Sequence, residues 1–252
     1  MNIILKKSKN NFSYIKYFLF TYLKRYSVYE KYIDENVFYI PYKKSLKKRY
    51  INALLDFLKR KNTDKILAVD EDVKKEFKKY FSVINGKNIY NTIFCDILNF
   101  MSKNRLFEYE IIFVSDNIKE IKNMIEKCIK KVKGVGILTK KPELYESMKE
   151  FTLSKYGVVL NIKKNNEKLK KHNKIYVNCG NIKVFDESFF KNVTMLDFYN
   201  VYEGAQNKII LEQNQKEKEL TKKLNVPYTI DIAEFLYEKI NEKEYKIVNI
   251  KK

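Results

Sequence analysis

Apolar and polar positions alternate between two periods along residues 109–198. Continuous apolar runs at 110–115, 134–139, 158–162, 174–178 and 193–197 read as buried strands. Between the first three lie amphipathic stretches of helical period. Ile118, Ile121, Ile125 and Ile129 share one face of 118–131, and Pro142 with Glu143 opens a second helix that stops at Gly157. Strands that recur with helical crossovers predict a parallel sheet, in the doubly wound α/β layout.

The first third of the chain also reads as α/β, less regularly. Residues 11–33 are expected to be helical, 37–40 a strand closed by Pro41, and 46–59 a helix with Ile51, Leu54, Leu55 and Leu58 on one face. A second strand is expected at 65–69. Asp70 then caps a helix whose first turn holds Glu71 and Asp72, where acidic side chains suit the helix dipole. Residues 81–86 read as a short strand ending in an Asn85-Gly86 turn, and 88–101 as one buried helix. Beyond the last strand, 207–224 predicts a charged helix, 229–240 a clearer amphipathic one, and 245–250 an edge strand. Short turns of helix are expected at 166–172 and 186–191. The fold class is therefore α/β in two halves, the second a mainly parallel Rossmann-like sheet. The boundary is expected near residue 104, giving an N-terminal domain over 1–104. A Rossmann-like domain over 105–252 follows, its C-terminal helices packing back on the N-terminal half.

Charge enters next. The formal net charge is +20, and nearly all the positive charge is lysine; arginine occurs only at 25, 49, 60 and 105. A lysine-rich surface admits a polyanion or nucleic-acid partner. Base and phosphate readers lean on the bidentate fork of arginine, however. Lys, Asn, Ile, Tyr and Phe are abundant while Gly, Pro and Ala are scarce, the composition that AT-rich codons produce without selection for binding. Three cysteines, Cys95, Cys128 and Cys179, have no CxxC spacing, and an odd count predicts reduced thiols and a cytoplasmic setting. His172 is the one histidine and has no clustered ligands, so no metal site is expected. The aromatic segment 12–25 is interrupted by Lys16 and is too short for a span of about 20 residues. It reads as a helix packed on its own domain, with membrane contact as the alternative.

In a doubly wound sheet a ligand sits at the carboxyl ends of the strands, which selects three turns. Ser115, Asp116 and Asn117 follow the first strand, where a dinucleotide fold carries G-x-G-x-x-G so that pyrophosphate can approach the helix N-terminus. Here there is no glycine. All three residues suit a helix cap, and Asp116 would repel pyrophosphate. Thr139, Lys140 and Lys141 follow the second strand and place two cations at a helix start. Asn178, Cys179 and Gly180 end the fourth. Cys179 has no neighbouring histidine to activate it and reads as buried and inert.

The run Gly136-Ile-Leu-Thr-Lys-Lys-Pro-Glu143 and the strand Ile175-Tyr-Val-Asn-Cys-Gly180 resemble the nucleotide domain of shikimate dehydrogenases and of glutamyl-tRNA reductases. The resemblance covers residues 108–200. It implies that Thr139, Lys140 and Lys141 contact an adenosine ribose and its 2′-phosphate. It also implies that Asn178 and Gly180 flank a nicotinamide ribose. The chain as a whole looks like uncharacterised Rossmann-like proteins. The N-terminal half shows no counterpart of the catalytic Lys–Asp pair of the first family or the reactive Cys of the second. P-loop and serine-hydrolase motifs are absent too.

The cofactor-binding candidates are thus Ser115, Asp116, Asn117, Thr139, Lys140, Lys141, Asn178 and Gly180, with no catalytic residue assigned. The expected function is a nucleotide or small metabolite held in a degenerate Rossmann-like site. NAD(P) is a candidate cofactor, although the missing glycine loop argues against a standard NAD(P)-dependent dehydrogenase. The alternatives are a protein-interaction or scaffold role and a polyanion-binding role. The oligomeric state is left open.

Overall fold

The computed structural model describes residues 2–7, 29–32, 35–40, 48–63, 65–164, 172–180, 183–190, 193–199, 201–202, 204–206, 208–236 and 245–251. The chain forms two compact units, Met1–Ile89 with Gln213–Lys243 and Tyr90–Glu212 with Glu244–Lys252. Among the described residues no helix is long and apolar enough to cross a membrane.

The first unit is built around strand β1 (Asn2–Lys7), flanked in parallel by β3 (Glu35–Ile40) and β4 (Lys65–Ala68). A further strand, β2 (Tyr29–Tyr32), runs antiparallel to β3, so the sheet order is β2-β3-β1-β4. The short apolar run at the N-terminus makes the centre of this sheet. Ile3, Ile4 and Leu5 are buried, as a strand covered on both faces requires. Helix α1 (Lys48–Arg60) packs Tyr50, Leu54, Phe57 and Leu58 into a cluster with Ile3, Leu5, Ile66 and Phe77. Of the expected stripe Ile51, Leu54 and Leu58 are buried and Leu55 only partly so, while Tyr50, Ala53 and Phe57 complete the buried face. Helix α2 (Glu71–Phe77) follows β4.

In the second unit, β5 (Glu110–Val114), β6 (Gly134–Thr139), β7 (Asn161–Lys164), β8 (Lys174–Asn178) and β9 (Thr194–Asp197) form one parallel sheet in the order β7-β6-β5-β8-β9. The chain starts in the middle, winds outward to β7, then returns to β8 on the other side of β5. That reversal between β5 and β8 defines the doubly wound, Rossmann-like α/β fold. Ile111, Phe113, Ile137, Ile175 and Val177 are completely buried, which explains why these strands read as continuous rather than alternating runs. Before the sheet come two short helices, α3 (Lys87–Thr92) and α4 (Phe94–Met101). The connection from β5 to β6 is α5 (Ile118–Cys128), and that from β6 to β7 is α6 (Glu146–Tyr156), entered through a 3-10 turn at Pro142–Tyr145. Gly157 closes α6 at φ +68°, with its N–H bonded back to Leu153, the left-handed stop that glycine favours.

Several sequence expectations are corrected. The helix expected over 11–33 meets a strand at Tyr29–Tyr32, paired with β3; residues 11–28 lie outside the described residues, as does the aromatic segment at 12–25. Residues 81–86 are not a strand. One bond, from the Ile84 N–H to the Ile66 carbonyl, ties them to β4, and Gly86 at φ +76° turns the chain away. The single helix expected over 88–101 breaks at Ile93, whose φ of −97° and ψ of 15° are not helical. The strand expected over 158–162 begins at Asn161. The charged helix expected over 207–224 divides into a strand, β10 (Lys208–Leu211), and a helix, α7 (Gln215–Leu224). Asn214 stops the helix from extending backwards. Its side chain accepts from the Glu217 N–H while Glu217 accepts from the Asn214 N–H, a capping box. The last strand, β11 (Ile247–Lys251), pairs antiparallel with β10. Helix α8 (Ile230–Leu236) forms inside the expected 229–240, whose remaining residues after 236 lie outside the described set. Of the turn expected over 166–172 only His172 is described, and it is exposed.

Candidate functional site

The carboxyl ends of β5, β6 and β8 are level. Val114 lies opposite Leu138 on one side and Asn178 on the other, so the three selected turns leave the sheet side by side at the strand-order reversal. Parallel pairing in register is what brings residues 115–117, 139–141 and 178–180 into one region.

The first turn is locked from within. Ser115 is buried; its hydroxyl oxygen accepts from the Asn117 N–H at 2.9 Å, and its carbonyl accepts from the Tyr145 hydroxyl at 2.8 Å. Asn117 is the N-cap of α5 and accepts from the Lys119 N–H at 3.1 Å. In a glycine-rich loop the main-chain donors at this helix start face a pyrophosphate. Here two of them are already bonded to side chains of the turn itself.

Asp116 does not point back toward that helix start. Its Oδ1 accepts from the Thr139 hydroxyl at 2.6 Å and from the Lys140 N–H at 2.8 Å, bridging the first turn to the end of β6. Thr139 is fully buried, and its oxygen in turn accepts from the Lys141 N–H at 3.0 Å. Among the described residues no donor reaches Asp116 Oδ2, and the residue is part exposed. Lys140 and Lys141 are exposed beside it, with the Lys140 ammonium 5.7 Å from the centre of the Phe185 ring. The arrangement therefore presents one carboxylate oxygen and two cations at the tip of β6. A carboxylate there accepts hydroxyl hydrogens, and the lysines suit a phosphate as point charges.

The third turn differs. Asn178 is completely buried; its Nδ2 donates to the Gly180 carbonyl at 3.0 Å and to Asp197 Oδ1 at 2.8 Å, and its Oδ1 accepts from the Gly180 N–H at 3.3 Å. Asn178 and Gly180 thus spend their polar atoms on one another. Asp197, also fully buried, accepts further from the main-chain N–H groups of Tyr199, Val201 and Tyr202. Cys179 is buried with its sulfur 3.5 Å from that of Met124.

Four side chains that shape this region were not singled out by sequence: Tyr145, Asp197, Tyr202 and Tyr90. Asp197 reads only as a strand end, and the tyrosines are lost among many. Tyr202 accepts at its hydroxyl from the N–H groups of Val184 and Phe185, both at 3.1 Å, fixing the chain after β8. Burial raises its pKa, opposed in part by those two bonds. Among the described residues no group of carboxylates, cysteines and histidine is arranged to hold a metal ion.

No family model and no curated protein matches the sequence. Solved structures show a distant likeness. The shikimate 5-dehydrogenase of Listeria monocytogenes, determined with shikimate and NAD, is 12% identical, with 94% of this chain and 96% of that chain covered, at a TM-score of 0.37. Shikimate dehydrogenase 1 of Peptoclostridium difficile is 11% identical over 93% and 88%, at 0.34. The quinate dehydrogenase of Corynebacterium glutamicum, in complex with NAD, is 9% identical over 78% and 79%, also at 0.34. The chain is thus distantly similar to shikimate and quinate dehydrogenases, and no activity follows from scores this low.

Proposed function

We propose that the second unit binds a ribose-bearing small molecule, a nucleoside or nucleotide, at the carboxyl ends of β5 and β6. The observation that carries this reading is Asp116: one oxygen is anchored by Thr139 and Lys140, leaving the other oriented and open at the strand-order reversal. A carboxylate held in this way accepts one or two vicinal hydroxyls without paying to order itself. The exposed Lys140 and Lys141 then favour a ligand whose phosphate lies away from those hydroxyls, a nucleotide over its nucleoside. The Asn117 and Lys119 N–H groups, already bonded to side chains of the turn, argue that pyrophosphate does not lie on the start of α5 in the usual pose. Binding is the reading here, and no catalytic step is assigned.

Thermal shift and calorimetry with adenosine, AMP, ADP, NAD+ and NADP+ test it. At least one of these ligands stabilises the protein, and Asp116→Asn weakens that ligand by about tenfold or more, the worth of a hydrogen bond to a charged group. Failure of the whole panel to shift the melting temperature overturns the reading.

A further inference from the structure

A dinucleotide in a doubly wound sheet lies across the strand-order reversal, one nucleotide half on each side. In the second unit the two sides of that reversal are unlike. On the β6 side Asp116 is part exposed, and Lys140 and Lys141 are exposed. On the β8 side the turn is closed. Asn178 and Gly180 are buried and bonded to one another, and Cys179 is packed toward α5, its sulfur 3.5 Å from that of Met124. The chain beyond this turn adds a cover. Val184 and Phe185 are buried in one apolar cluster with Val114 and Leu138, from the carboxyl ends of β5 and β6. The Tyr202 hydroxyl accepts from the N–H groups of Val184 and Phe185, so the cover is fixed in place.

Neighbouring strands lie about 4.8 Å apart. Among the described residues of the three turns, the exposed polar side chains therefore span one strand interval, between the tips of β5 and β6. A nucleoside monophosphate suits such a patch, with its vicinal hydroxyls on Asp116 and its phosphate on Lys140 and Lys141. A second nucleotide would need the β8 side, and it would have to break the bonds that Asn178 and Gly180 make with one another. The pyrophosphate joining two halves would cross the first turn, where the Asn117 and Lys119 N–H groups are already bonded. We propose that the site takes a single nucleoside monophosphate and gives the second half of a dinucleotide no place. This rests on the reading of the Asp116 site and narrows its ligand class.

The test compares adenosine, AMP and NAD+ by calorimetry on the wild-type chain, on Asp116→Asn and on a double variant, Lys140→Ala with Lys141→Ala. The melting temperature of each protein is taken alone, and NADH emission is followed on binding. AMP binds the wild type at least about fivefold more tightly than adenosine, and the double variant removes that gain while leaving adenosine affinity and melting unchanged. NAD+ binds no more tightly than AMP. NADH held by its adenosine half keeps the nicotinamide emission of the free molecule. An NAD+ affinity more than about fivefold above that of AMP overturns the proposal, as does NADH emission that strengthens and moves to the blue, or AMP binding no better than adenosine. If adenosine binds the wild type and weakens in Asp116→Asn while any of those three results is found, this inference alone fails. If neither adenosine nor AMP binds the wild type, the Asp116 reading fails and takes this one with it.

Discussion

Asp231 in the first unit and Asp197 in the second are both held carboxylates, by different means. Asp231, in the first turn of α8, forms an ion pair of 2.7 Å with Lys74 of α2, whose side chain is 11% exposed. Next to it on the same helix face, Glu234 accepts from both the N–H and the side-chain amide of Asn88. Asp197 forms no ion pair among the described residues; three main-chain N–H groups and Asn178 surround it. The first arrangement ties one helix to others through side chains. The second folds a loop around a buried anion. In both, the polar atoms are used up. Asp116 stands apart because half of its carboxylate is not, and the proposed binding role rests on that difference.

The contrast breaks most severely at Asp197. Asp197→Ala strands three main-chain donors and the buried Asn178 amide, and a loss of about 4 kcal/mol is expected in urea unfolding. Gly86 comes next. A Cβ there would lie 2.6 Å from Ile230 Cγ1, at a φ of +76°, so Gly86→Ala combines a clash with backbone strain and costs about 3 kcal/mol. Asp231→Asn costs about 2 kcal/mol, short of a fully buried pair because the Asp231 side chain keeps 22% exposure.

That last effect depends on pH in a defined direction. Burial pushes the Asp231 carboxyl up, but the Lys74 ammonium and the bond from Thr229 outweigh it and hold the group below its ordinary 3.8. The stabilisation is therefore complete above the unfolded value and disappears as pH falls through the lower folded one. Wild type and Asp231→Asn should converge in melting temperature below pH 3.8 and separate fully at neutral pH. The smallest effect is expected at Gly157, where φ is +68° but no atom lies within 4 Å of an added Cβ; Gly157→Ala costs about 1 kcal/mol of backbone strain alone. A Gly157 loss equal to that of Gly86 would show that the packing of Ile230 contributes nothing.

Legibility followed the length and regularity of each pattern. The strands at 110–114, 134–139, 174–178 and 194–197 were readable because parallel strands buried on both faces need unbroken apolar runs. Helix α1 was readable from the spacing of Ile51, Leu54 and Leu58. Strand β1 was not, since a three-residue apolar run has no periodicity and its role depends on Val37 and Leu67 arriving on either side. Strand β10 hid inside a charged stretch because its partner, β11, lies far along the chain at 247–251. The Asn214 capping box was a local signal that could have separated the two.

Periodicity and turn chemistry in the sequence determined that the second unit is a wound parallel sheet, and hence which strand ends lie together, because burial on two faces is written into β5, β6 and β8. Only the tertiary structure decided what each of those ends does. Hydrogen bonds across turns, set by strand register, closed Asn178 and Gly180 on themselves and turned Asp116 toward Thr139. No pattern along one segment encodes a bond whose partner is supplied by another.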